Sequence, residues 1–312
     1  MRKIMNGVIV MMGCGLVMPA TAVADQPTWF QLYGRANLGW QASDRDDGAG
    51  TDTSLTSYAS RIGAKGTVAL SETTEIIYQM EWEVDLTDLT DSHVFSPRNQ
   101  YLGIKGNFGE FSVGRRDTAV KMLQSAFDLF SDYEGDLKHI FAGKSRMNDT
   151  FNYFSPMLGQ FQVAASYTLE NNADNGVSVT VTYGDSKLKN SDYYVGVGVD
   201  DAVNGKNIVR AVALTHFGTT QVGVLWQDQE NVDGSGQADG FALNLAQPWR
   251  ELKFLVQYQQ LDFSNGKRSS WSGGVDYQWL DNTKLYAWYT QRDLDHIEAQ
   301  QEFASIGIEH RF

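Results

Sequence analysis

The chain has 312 residues, of which 42 % are hydrophobic and 12 % aromatic, and a formal charge of −13. The acidic balance argues against nucleic acid as a partner. A single cysteine rules out a disulfide framework, and past residue 24 no apolar run reaches the ~18 residues that a membrane-spanning helix needs.

Residues 1–24 read as a secretory leader. Arg2 and Lys3 form its positive start, Ile4 to Val17 its apolar stretch, and Ala22-Val23-Ala24 its small-residue cleavage site. Cys14 lies inside this segment. Met12-Gly13-Cys14 is a faint lipoprotein-type site, but cleavage there would truncate the apolar stretch. The mature domain is therefore expected to run from 25 to 312. An exported chain without a spanning helix is periplasmic, secreted or a membrane barrel. A mean hydropathy of −0.35 is compatible with a barrel, because alternation hides its apolar surface.

Alternating segments recur along the whole chain. In order they are predicted at 29–43, 54–70, 74–86, 96–107, 109–118, 147–156, 160–170, 176–185, 187–200, 207–218, 219–230, 237–247, 250–263, 268–281, 283–294 and 301–312. In the first, Phe30, Leu32, Ala36, Leu38 and Trp40 share one face, and Gln31, Tyr33, Arg35 and Asn37 share the other. In the third, Ile76, Tyr78, Met80, Trp82 and Val84 oppose Ile77, Gln79, Glu81 and Glu83. The last ends on Phe312, His310, Ile308, Ile306 and Ala304, against Arg311, Glu309, Gly307, Ser305 and Phe303. A period of two that runs to a terminal aromatic fits a strand closing a barrel, since closure removes both sheet edges. Tight-turn residues at 106–109, 217–220 and 280–283 alternate with longer polar connections such as 43–53 and 231–238. Aromatics gather near strand ends, as in interfacial girdles. These signals predict an all-β, antiparallel transmembrane β-barrel of about sixteen strands in the outer membrane of a Gram-negative bacterium. A soluble β-sandwich alternates too, but does not account for the leader and the terminal phenylalanine.

One connection, 119–146, is too long for a hairpin. Leu123, Phe127 and Phe130 are apolar anchors, and Asp128, Asp132, Glu134 and Asp136 carry negative charge. A segment this apolar is expected to fold into the polar lumen as a constriction loop. Arg35, Arg61, Arg98, and Arg115 or Arg116 fall on the first five strands at the inward parity, with Lys65 and Arg146 as further members. A basic wall facing an acidic loop would set up a transverse field, focused by low-dielectric walls.

At these residues the chain resembles the general diffusion porins of Gram-negative bacteria, the trimeric sixteen-stranded family. The resemblance covers nearly the whole mature chain. It rests on Tyr33-Gly34-Arg35, on 61–66 (Arg-Ile-Gly-Ala-Lys-Gly), on the 98–115 hairpin and on 146–156. The family implies a basic eyelet wall of Arg35, Arg61, Arg98 and Arg115, an assembly signal in Phe312, and a homotrimer. It also implies a subunit-latching loop over 85–95, carrying Asp85, Asp88 and Asp91, and a threefold interface reached by Leu38 and Tyr101. The Pro-Glu-Phe-Gly-Gly loop tip of many members is replaced here by 130–136 (Phe-Ser-Asp-Tyr-Glu-Gly-Asp), so the choice among the loop carboxylates stays open.

The five histidines are scattered and show no ligand spacing, so no metal and no cofactor is expected. No Gly-x-Ser-x-Gly, phosphate-cradling loop or serine–histidine–acid order is present. The expected function is not enzymatic. It is a water-filled channel for passive diffusion of small hydrophilic solutes and ions, weakly cation-selective. A substrate-specific channel, for sugars or other nutrients, is the alternative. Outer-membrane lipid and the barrel-assembly machinery are the expected surroundings.

Overall fold

The computed structural model describes residues 28–45, 50–88, 94–170, 174–294 and 299–312. The leader expected over 1–24 lies outside them. Sixteen antiparallel strands close into a barrel. They are β1 (Gln31–Asp44), β2 (in two segments, Asp52–Ser57 and Arg61–Ala69), β3 (Thr74–Val84), β4 (Phe95–Gly106), β5 (Gly109–Asp117), β6 (Arg146–Phe154), β7 (Phe161–Thr168), β8 (Gly176–Tyr183), β9 (Tyr193–Val203), β10 (Lys206–Phe217), β11 (Thr220–Asn231), β12 (Ala238–Trp249), β13 (Leu252–Phe263), β14 (Gly266–Leu280), β15 (Thr283–Leu294) and β16 (Ala299–Arg311). Each strand pairs with its sequence neighbours, and β16 closes on β1 from Arg35↔Arg311 to Asp44↔Glu302. Phe312 completes the seam, with its amide and carbonyl bonded to Gly34. A Cβ on Gly34 would lie 2.2 Å from the Phe312 ring, so glycine is what lets the terminal aromatic lie flat on β1.

Side-chain parity follows the sequence closely. Trp40, Leu102, Ile306 and Val256 are exposed on the outer face, and Asn37, Ser112, Asn152 and Ser305 are buried on the inner one. Phe30, just before β1, and Trp40 within it are ten residues apart. At ~3.3 Å per residue and ~40° tilt that spans roughly 25 Å, the height of an outer-membrane apolar band.

The sequence reading differs in three places. The second strand is broken at Tyr58-Ala59-Ser60, where Ala59 takes φ 47°. The ninth strand starts at Tyr193 rather than near 187, because 184–192 forms a turn. Connections do not alternate strictly in length: β9–β10 and β13–β14, at the end opposite the terminus, are joined by two residues each.

Both buried apolar clusters lie inside the barrel, not between sheets. The 28 residues between β5 and β6 enter the lumen and supply five of the thirteen buried residues of one cluster and two of the eight of the other. Leu123, Phe127, Leu137, Ile140 and Phe141 pack on Tyr194, Val212, Leu214, Leu225 and Leu261 of β9 to β13. Phe130 and Tyr133 pack on Tyr58, Leu255, Tyr286, Trp288 and Phe303. The segment contains one short helix, α1 (Ala119–Gln124), and two single 3-10 turns, so most of its backbone has no ladder partner. Buried backbone groups without partners are costly, and here wall side chains satisfy them. Gln257 accepts from the Leu129 amide (2.9 Å) and donates to the Gly135 carbonyl (3.0 Å). Gln259 donates to the same carbonyl, Asn244 to that of Phe127, and Gln229 accepts from the Ala142 amide. Ser166 and Ser178 accept from the Ala119 and Val120 amides.

Substituting Gln257→Leu orphans the Leu129 amide, while Gly135 keeps Gln259. At about 1–3 kcal/mol per orphaned buried group, the thermal unfolding midpoint in detergent should fall while the far-ultraviolet β signal persists. An unchanged midpoint would mean that the loop is not anchored this way.

Candidate functional site

The loop tip meets the inner wall at β1 and β2. Arg35 and Arg61 are adjacent partners across these strands. Both donate to the same Asp132 oxygen, at 2.7 and 2.8 Å. The broken strand makes this possible. Freed from the ladder, the Tyr58 and Ala59 carbonyls each accept from Arg35 at 3.0 Å, and Ala59 also accepts from Arg61 at 3.1 Å. Asp132 takes φ 75°, a left-handed conformation that aspartate tolerates better than most residues. Burial alone would raise its carboxyl pKa, but Arg35 and Arg61 outweigh burial and hold it well below the usual carboxylate range. The basic wall and the acidic loop therefore touch, rather than face each other across water.

The other arginines have partners on the strands. Arg98 bonds Glu81 and Glu83, each at 2.7 Å. Arg146 bonds Asp117 at 2.7 Å, and Asp117 also holds Lys121. Arg115 departs from the expected wall. It keeps the parity of Phe111 and Val113 on the outer face, pairs in register with Gln100, and bonds the Pro97 carbonyl and the Asn148 side chain. Its neighbour Arg116 turns inward instead. It sits over the Tyr101 ring at 4.1 Å and the Phe154 ring at 4.6 Å and bonds Glu110. Unbroken alternation sets both: Arg115 shares the parity of Val113 and Arg116 that of Ser112, and the irregularity at this point lies on the partner strand β6. Tyr101, opposite Gly114 and next to outward-facing Leu102, lies on the inner face, against the expectation that it reaches an outer interface.

The four loop acids divide by role. Asp132 pairs with Arg35 and Arg61, and Glu134 pairs with Arg292 of β15 at 2.9 Å. Asp128 and Asp136 turn away from the arginine wall and hold Lys144, while Asp136 also accepts from the amides of Asp132 and Lys138. Burial, then Asp136, raises the Asp128 pKa; Lys144 and the Lys138 amide hold Asp136 down despite its burial. His139 lies 3.7 Å from Glu134. Burial, and then Arg292, pushes its imidazole down to about 4, so it is neutral at neutral pH.

Beside the loop runs an open cavity of about 810 Å³. Arg61, Arg98 and Arg146 line one side of it, with Gln162, Ala164 and Thr180 from β7 and β8; Lys121, Asp132, Glu134, Lys138 and Lys144 line the loop side. Sequence reasoning missed Arg292, Lys144, Glu81 and Arg210. Arg210 is fully buried and donates to Gln227, Gln124 and the carbonyls of Val120 and Ala142, tying both ends of the loop to β10. Its signal was present in the sequence: Ile208, Val212 and Leu214 put apolar groups on the inner parity of β10, which marks a covered wall. Among the described residues no group of three His, Cys, Asp or Glu is placed to hold a metal ion.

A sequence model of the Gram-negative porin family matches residues 8–296. The chain belongs to this family. It is 28 % identical over 204 residues to the major outer membrane protein P.IB of Neisseria meningitidis serogroup B, covering 60 % of this chain and 59 % of that protein. It is 27 % identical over 168 residues to the P.IB protein of Neisseria sicca, covering 50 % of this chain and 45 % of that one. The chain thus spans about half the length of the curated relatives it matches. Among solved structures, the anion-selective porin of Comamonas acidovorans superposes with a TM-score of 0.76 at 19 % identity, over 91 % of this chain and 99 % of that one. OmpF of Salmonella typhi, solved with daunomycin, gives 0.73 at 14 % identity, over 91 % and 97 %. The trimer form of OmpT from Vibrio cholerae gives 0.70 at 16 %, over 92 % and 100 %. The family places this porin in the outer membrane.

Of the residues expected to latch subunits, Asp85 caps its own turn, accepting from the Thr87 amide and hydroxyl and from the Asp88 amide, and Asp88 follows it in that turn. Asp91 lies outside the described residues.

Replacing Asp132 by asparagine leaves two adjacent guanidinium groups without their shared anion. Lumen water reaches the pair, so the loss should be on the order of 2–3 kcal/mol, less than the ~3–5 of a fully buried pair. Asp132→Asn should lower the unfolding midpoint and move the reversal potential toward anions. A variant with wild-type stability and selectivity would show that the clamp is not formed.

Proposed function

We propose that this porin forms a water-filled channel for passive diffusion of small hydrophilic solutes and ions, weakly cation-selective, assembled as a homotrimer after removal of residues 1–24. The observation that carries the proposal is the open, polar cavity running beside a loop pinned to the wall. Charge around the cavity is nearly balanced. Six basic residues line the cavity (Arg61, Arg98, Lys121, Lys138, Lys144 and Arg146), and five acidic ones (Glu83, Asp117, Asp132, Glu134 and Asp136). With the constriction balanced, the excess acidity of the whole chain sets the sign, which favours cations weakly. The rings that face the lumen support passive passage over sugar-specific transport. Of the aromatic residues lining the cavity, Tyr58, Tyr133 and Tyr194 are each under 10 % exposed, packed where the loop meets the wall, and the Phe154 ring is covered by the Arg116 guanidinium, with little face left for stacking. Trimeric assembly is supported by the family and by the trimeric form of a structural neighbour. Insertion by the barrel-assembly machinery, with Phe312 as its signal, belongs to the same reading.

Planar-bilayer recording under a salt gradient tests it. Ohmic steps closing in threes, with a small cation-side reversal potential, are expected. Absence of steps from folded protein, or saturating block by one solute class, would contradict it.

The pH dependence follows from the loop. Asp132 stays ionised, and His139 stays neutral until the pH approaches about 4. Asp128, which burial and then Asp136 raise to about 6, takes up a proton between pH 7.5 and 5 and should shift the reversal potential toward anions equally in the wild type and in His139→Gln. The potential should move further toward anions near pH 4 as His139 gains a proton, and less so in His139→Gln. Outer carboxylates contribute equally in both proteins, so the difference between them reports His139. Identical titrations would exclude it.

A further inference from the structure

The connection between β8 and β9 does not belong with the other turns at its end of the barrel. It is the end that carries Phe312, and in outer-membrane barrels the end with short turns faces the periplasm. Five of the six other connections there have four residues or fewer, and that between β6 and β7 has six; this one, 184–192, has nine. It is also a built object. The Asp185 carboxylate accepts from the amides of Lys187 (2.9 Å), Lys189 (3.1 Å) and Asn190 (3.2 Å). The Asp185 amide donates to Ser191 Oγ at 2.7 Å, and the Leu188 amide to the Asp185 carbonyl at 2.8 Å. This nest holds Leu188 at φ 53°, which a branched residue adopts only when its surroundings enforce it.

The strained residue is the one that points inward. Leu188 is 9 % exposed and joins the cluster of Leu123, Tyr194 and Leu214 that anchors the constriction loop. Gly184 and Ser186 line the same cavity as Arg61, Asp132 and Lys121. The turn therefore folds back into the lumen and meets the constriction loop from the opposite side. Lys187 and Lys189 flank the buried leucine and remain exposed. The backbone of two exposed lysines is thus fixed at the periplasmic mouth of the passage by an anchored, hydrogen-bonded loop, beside the Asp185 carboxylate that holds it.

We infer that the 184–192 turn is a second selectivity element of this channel, in which Leu188 anchors the turn against the constriction loop and Lys187 and Lys189 attract anions to the periplasmic mouth. It opposes the external end, where Asp44, Asp52, Asp85, Glu170, Glu230 and Asp233 lie at or beyond the strand ends, so the channel is electrically polar along its axis. The inference rests on the proposed conducting lumen. Fixed charge at a pore mouth raises the local counter-ion concentration within about a Debye length, ~10 Å at 0.1 M salt.

The test compares wild-type trimers with Lys187→Glu/Lys189→Glu in planar bilayers, adding protein from one side so that orientation is uniform. Both lysines are exposed, so the variant should fold, which heat-modifiable migration checks. At about 0.1 M salt the charge-reversed channel should show a cation-to-anion permeability ratio raised roughly twofold or more, and altered current asymmetry between voltage polarities. At about 1 M salt the two proteins should converge, because the screening length drops to ~3 Å. A second variant, with 184–192 replaced by Asn-Gly, should conduct more than wild type. Charge-reversed channels with wild-type selectivity and asymmetry at low salt would overturn the inference while leaving the conducting lumen intact. Failure of wild type to conduct would instead overturn the proposed channel.

Discussion

Everything in this molecule turns on how a long, irregular segment can lie inside a barrel. Backbone amides and carbonyls taken out of water must find partners, and the 28 residues between β5 and β6 offer few to one another. The inner wall meets this demand with carboxamides and hydroxyls. Gln257, Gln259, Asn244, Gln227, Gln229, Ser166 and Ser178 face inward and are buried, and each binds loop backbone. Gln227 divides its bonds between Arg210 and the Ala142 carbonyl. Side-chain amides suit this task because each both donates and accepts, so one residue serves two points of an irregular chain.

The electrostatics follow from that placement. Once the loop is pinned to β9–β13, its tip is carried across to β1 and β2, where Asp132 inserts between Arg35 and Arg61. Adjacent arginines repel, and the broken segment of β2 supplies the carbonyls that let both remain charged and bonded. The second half of the loop is held by Lys144 on Asp128 and Asp136, and by Arg292 on Glu134. Little charge in the lumen is left uncompensated, which is why the passage beside the loop is polar yet nearly neutral.

Much of this was legible in the sequence. Period-two alternation gave sixteen strands with ends mostly within two or three residues, and the length and apolar content of 119–146 placed the constriction loop. Arg35, Arg61 and Arg146 are on the inner side as their parity required. What was not legible depends on local breaks in periodicity. A register shift between Met80 and Trp82 turns Arg98 inward although it has the parity of outward-facing Leu102, and the interruption at Tyr58 turns an apparent strand residue into the floor beneath Tyr133. The turn at 184–192 was hidden because Lys187, Leu188 and Lys189 imitate strand alternation. Only Asp185 and Ser191, turn formers at its two ends, signalled otherwise. The pairing of Asp132, rather than Asp128 or Asp136, with the arginines is a tertiary fact that no spacing encodes.

The central claim, a loop sealed to one wall with its tip exposed in the passage, is tested most directly by single-cysteine access. The sole native cysteine, Cys14, precedes the barrel. Asp132→Cys should react with a charged methanethiosulfonate reagent and cut the current stepwise, whereas Phe127→Cys, fully buried beneath the loop, should not react on the same timescale. Rapid modification at 127, or modification at 132 without effect on current, would contradict the account.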